Sequence, residues 1–104
     1  MNRVLILSIA LLCFSNWAQA SSSEAWQAHE KQVIASCQKA SQLKQSKPLG
    51  GLIEYPDELG LTAVLMGGRY PQVQMKNQRG RELCLYDKKT GKAFISEADT
   101  ISRP

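Results

Sequence analysis

The stretch from Arg79 to Ser96 constrains this chain most, because it places a cysteine inside a strand pattern and closes that strand with a turn. Residues 81–87 alternate as a half-buried strand does: Leu83 and Leu85 point to one face, and Glu82, Cys84 and Tyr86 to the other. Asp87 to Lys92 then has turn chemistry. Asp87 can accept a bond from the backbone two residues on, and Gly91 can take the positive φ of a type I turn closed by a bulge. Ala93, Phe94 and Ile95 return as a second strand. A cysteine at the centre of such a hairpin needs a partner.

The N-terminus narrows the choice. Arg3, an apolar run from Val4 to Phe14 broken only by Ser8, and the small-x-small sequence Ala18-Gln19-Ala20 together read as a secretory signal peptide over residues 1–20, cut after Ala20. The apolar run falls short of the ~20 residues a membrane span needs, so stable insertion after cleavage is not expected. Leu12 precedes Cys13 where a lipoprotein signal would have a small residue, so Cys13 leaves with the signal. Of three cysteines, Cys37 and Cys84 then remain, an even pair in an exported chain, and they are expected to form a disulfide. A redox pair is usually a close C-x-x-C, and a zinc site needs more Cys and His than the chain offers.

Residues 21–104 are expected to form a single small domain. A chain of this size buries only about 60–65% of its unfolded surface, so a covalent staple matters. Losing Arg3 lowers the formal charge of +4 by one, leaving a mildly basic protein suited to an acidic partner but not specifically to nucleic acid.

Along the mature chain, Ser21 and Glu24 form a capping-box pattern, and nothing interrupts a helix from Glu24 to about Lys44. Trp26, Val33, Cys37 and Ala40 recur on one stripe with Ile34 on its flank. Cys37 can reach Cys84 only if this helix lies across the sheet face that bears Cys84 and Tyr86. Pro48 and Gly50-Gly51 end the helix. Residues 52–55 read as a strand, 56–60 as a turn, and 61–66 as a strand apolar on both faces. Gly67-Gly68 marks a bulge or a close backbone approach. Residues 72–80 read as a long polar connection, functional or mobile, and the tail after Glu97 as fraying.

The expected fold is therefore α+β: an N-terminal amphipathic helix packed on a four-stranded antiparallel β-meander, with one disulfide. One helix covers one face only. The second face must be closed by strong curling over the 71–80 segment, or by a homodimer or partner protein.

Catalytic and cofactor signals are sparse. His29, the single histidine, has no nucleophile tied to it by sequence, and Asp57 and Glu58 sit together in a turn rather than across a cleft. Neither a P-loop nor a G-x-G-x-x-G occurs, and no metal or cofactor is expected. The basic residues are more informative. Arg69, Lys76, Arg79 and Arg81, with Tyr70, occupy a stretch free of acids until Glu82 and form the candidate binding set. Lys88, Lys89 and Lys92 fit a solubilising role at a turn. The composite expectation is a small periplasmic or secreted binding protein, not an enzyme, which contacts a protein or an anionic polysaccharide or other envelope component. An inhibitor is one form of this; the alternative is a self-associating structural or assembly subunit of the envelope.

Overall fold

The computed structural model describes residues 23–101, so the expected signal segment and Cys13 lie outside the described residues. The chain divides after Glu30 into two compact units. Of the first, residues 23–30 are helical; the Trp26 and His29 rings meet at 5.6 Å between centroids, and Trp26 is 52% exposed rather than part of a buried stripe. The helix, α1, runs from 23 to 40. Within the second unit its residues Val33 and Cys37, one turn apart, are fully buried.

Helix α1 ends at residue 40, four residues before the sequence pattern stops being helical. Ser41 makes the last helical bond, N–H to the Cys37 carbonyl at 2.9 Å. The next donors find other acceptors: Gln42 N–H goes to Glu82 Oε2 (3.1 Å) and Leu43 N–H to Ser41 Oγ (3.1 Å). Side chains thus compete with the helix for its own donors. Residues 41–43, expected to prolong the helix, instead lead into an edge strand that begins at Lys44.

That strand is β1 (Lys44–Pro48), followed by β2 (Ile53–Glu54), β3 (Leu61–Arg69), β4 (Arg79–Asp87) and β5 (Ala93–Glu97). All pairings are antiparallel, in the order β1-β3-β4-β5, with β2 also paired to β3. β1 and β2 lie against successive parts of β3, Pro48 opposite Met66 and Ile53 opposite Ala63, so together they act as one edge strand interrupted near Gly50-Gly51. The sheet is the expected meander with its first strand lengthened and broken. The turn at 87–92 has the expected chemistry: Lys89 N–H donates to Asp87 Oδ1 (2.9 Å), Gly91 N–H to the Asp87 carbonyl (2.8 Å), and Gly91 has φ +73°.

Val33 and Cys37 pack against Val64 and Met66 of β3 and Cys84 and Tyr86 of β4, with Leu52, Ala93 and Ile95 around them. Cys37 and Cys84 are disulfide-bonded, with Cα atoms 5.9 Å apart. The period-two burial of β4 puts Glu82, Cys84 and Tyr86 on this closed side and leaves Leu83 and Leu85 half-buried on the other.

The 70–78 connection is not an open loop. A single 3-10 turn (Val73–Met75) is held by Met75 N–H to the Gln72 carbonyl (3.0 Å), and Tyr70 N–H to the Gln78 carbonyl (3.0 Å) brings β3 directly into β4. The Gly67-Gly68 pair follows regular register with β4; its use is close approach. A Cβ on Gly68 would stand 2.6 Å from the Lys44 carbonyl oxygen, and one on Gly67 would meet Leu49. The irregularity lies across the pairing, in β1, where Gln45 has φ +53°.

Candidate functional site

The face of the sheet away from α1 is ordered in rows, because residues opposite one another in an antiparallel pair point the same way and successive rows lie about 6.6 Å apart. Beyond the Leu61–Asp87 pair that opens this face, the first row is Ile53, Ala63, Leu85 and Phe94. The second is Leu65, Leu83 and Ser96, with Leu49 bonded to the Leu65 carbonyl through its N–H (2.8 Å). The third is Lys47, Gly67 and Arg81; the fourth is Lys44, Arg69 and Arg79. This face therefore changes along the strands from apolar to cationic. Phe94 and Ile53 are 56% and 57% exposed, while Met75 and Gln78 of the 71–80 segment line the cationic end of the face.

At the cationic end lies a groove of about 780 Å³. Lys44, Lys47, Arg69, Arg79 and Arg81 line it, with Tyr70 at its side and Leu49 towards the apolar rows. Among the described residues the ion pair is Lys88–Glu54 (3.5 Å), at the other end of the sheet, and Lys44, Lys47, Arg69 and Arg79 have no carboxylate within ion-pair distance. Arg69 is oriented by a bond from its guanidinium to the Asn77 carbonyl (3.1 Å).

One carboxylate, Asp99, reaches the groove, and it is committed. Tyr70 donates its hydroxyl to Asp99 Oδ2, and Arg81 donates its backbone N–H to Asp99 Oδ1 at 2.7 Å. The Tyr70 hydroxyl holds the Asp99 carboxyl below its ordinary range, helped by the Arg81 amide. The same bond, then desolvation and the charges of Asp99, Glu97 and Glu82, pushes Tyr70 up to about 12. Ala98 N–H donates to the Arg81 carbonyl (2.9 Å), and the Arg81 guanidinium donates to the Ile101 carbonyl. The tail expected to fray is thus fastened to β4 as far as Ile101.

No protein-family model, curated protein or solved structure matches the chain.

Of the residues singled out from sequence, Arg69, Tyr70, Arg79 and Arg81 converge on this groove. Lys76 does not line it; it caps the 3-10 turn with φ +52° and ψ +41°. Lys44 and Lys47 complete the cluster and were not foreseen. Their sequence, Lys-Gln-Ser-Lys-Pro, has little intrinsic strand preference, and only pairing with β3 makes it a strand. The pair at spacing three ahead of Pro48 was the available signal, obscured because Lys44 reads as the end of the helix and Lys47 as part of its terminating segment.

Proposed function

We propose that this chain is a small exported, non-enzymatic binding protein whose contact surface is the cationic groove, and that its partner is anionic. The observation that carries the reading is the convergence of Lys44, Lys47, Arg69, Arg79 and Arg81 from three strands onto one groove, where the one carboxylate among the described lining residues, Asp99, is already bonded by Tyr70 and Arg81. Clustered cations without ion-pair partners raise the local concentration of anions and give planar donors to phosphate, sulfate or carboxylate groups. A periplasmic or secreted location fits the disulfide and the signal-like N-terminus, and among the described residues no helix is long and apolar enough to cross a membrane.

Dextran sulfate titrated into the protein tests this reading. Binding should weaken steeply with salt and fall in Arg69→Gln and Lys47→Gln variants. Binding that is indifferent to both substitutions would place the anion site elsewhere. The open apolar rows favour a second reading, self-association through the same face, which sedimentation velocity separates: a monomer at every concentration removes it.

A further inference from the structure

We infer that the uncovered sheet face docks on an anionic lipid surface, with phosphates in the cationic groove and acyl chains against the apolar rows. This rests on reading the groove as an anion site and goes further, because it assigns the neighbouring rows to the same ligand. A polysaccharide or a soluble phosphate would use the cations and leave Phe94, Ile53 and Leu49 without a role. An amphiphile with a charged head and an apolar tail uses both.

The geometry favours that match. The apolar rows (Ile53, Ala63, Leu85, Phe94, then Leu65 and Leu83) and the cationic rows (Lys47, Arg81, then Lys44, Arg69) are consecutive on one side of one sheet. The step from the last apolar row to the first cationic row is a single pleat repeat, about 6.6 Å. Gly67, at the boundary, has no side chain, and Leu49 lies over it, joining the apolar surface to the groove floor. The most exposed apolar side chains on this face stand away from central β3 and β4, Phe94 on β5, Ile53 on β2 and Leu49 just after β1, where a shallow apolar contact can reach them first. Charge and apolar area act together in such peripheral binding, since neither alone holds a small protein on a bilayer. Two stacked copies of this face are a poorer fit: apolar rows could meet, but its five groove cations outnumber its acids, which among the described residues are Asp87, opposite Leu61, and Asp99 at the groove.

The test is flotation of the disulfide-bonded protein with vesicles of phosphatidylglycerol and phosphatidylcholine in equal parts, against vesicles of phosphatidylcholine alone. All variants share one N-terminus, so differences between them report the sheet face. Preferential binding to the anionic vesicles is expected. It should fall about fivefold for each of Lys47→Gln and Arg69→Gln, and should also be lost in the Ile53→Ser/Phe94→Ser double variant. Both apolar positions are solvent-exposed, so that variant should keep its melting temperature. A second measurement needs no substitution: spin-labelled lipid should broaden the amide resonances of Ile53, Leu83, Leu85 and Phe94 in the wild-type protein. Binding to dextran sulfate without binding to anionic vesicles overturns the lipid assignment and leaves the groove reading standing. Failure to bind either removes both. Vesicle binding unchanged by Ile53→Ser/Phe94→Ser, with those four amides unbroadened, also overturns it, because adsorption would then be by charge alone.

Discussion

Ser41 donates its hydroxyl to Glu82 Oε1 at 2.5 Å, joining the end of helix α1 to a carboxylate only 5% exposed on the closed side of β4. Glu82 Oε2 takes the Gln42 N–H as well, so one buried side chain satisfies two groups where the helix gives way to strand. A buried carboxylate is costly unless its oxygens are bonded, and here both are.

Replacing Glu82 with Ala leaves the Ser41 hydroxyl and the Gln42 amide without acceptors. The expected loss is about 1–3 kcal/mol in urea unfolding, with Glu82→Gln costing less because one acceptor survives. Faster hydrogen exchange at the Gln42 amide should accompany it. Equal midpoints for wild type and Glu82→Ala would show that the exit from the helix is held by something else.

The disulfide closes a separation of 47 residues between helix and sheet. Constraint of the unfolded chain at that length is worth about 4 kcal/mol in the chain-entropy model. Cys84→Ser should therefore lower the melting temperature sharply, and a reducing agent should do the same to the wild type. An unchanged melting temperature would mean that Val33, Val64, Met66 and Tyr86 hold the core without it.

Gly68 is irreplaceable for a local reason: the Lys44 carbonyl would lie 2.6 Å from an added Cβ, and backbone cannot swing aside as a side chain can. Gly68→Ala should cost about 1–3 kcal/mol by forcing β1 away from β3. Gly50→Ala, which meets nothing within 4 Å, serves as the near-neutral control. Loss of the β1–β3 amide bonds in exchange measurements would locate the damage. If both variants melt together, the edge strand is not packed as closely as its contacts imply.

The Tyr70–Asp99 bond makes the fastening of the tail pH-dependent. Asp99 has a lowered folded pKa, so its contribution is present above the unfolded carboxylate value of about 3.9 and is lost as pH falls through the folded value. Tyr70 has a raised one, so its contribution is complete below about 10 and is lost as pH rises towards about 12. Ultraviolet titration should show one of the three tyrosines ionising near 12, and Asp99→Asn should bring that midpoint down. A titration with no tyrosine ionising near 12 would mean that the tail is not fastened there.

Much of the fold was legible because its signals are local. Period-two alternation from Glu82 to Tyr86 and the Asp87–Gly91 turn pair report strand and turn from short stretches, and two cysteines admit a single pairing. Leu83 and Leu85 were likewise assignable to the second face from alternation alone. The cation set was partly legible: Arg69, Arg79 and Arg81 are close in sequence because a hairpin makes them close in space.

What the sequence could determine by itself, then, was the helix-on-sheet arrangement, the Cys37–Cys84 tie and the presence of an apolar second face, since each follows from spacing within one element or from exclusion. Tertiary structure alone decided that Lys44–Pro48 is a strand, that Asp99 is bound by Tyr70, and that five cations share a groove. These are pairings between distant residues. A polar segment with weak local preference takes the conformation its partner imposes: Glu82 takes the donors of Ser41 and Gln42 where the helix ends, and pairing with β3 makes Lys44–Pro48 a strand.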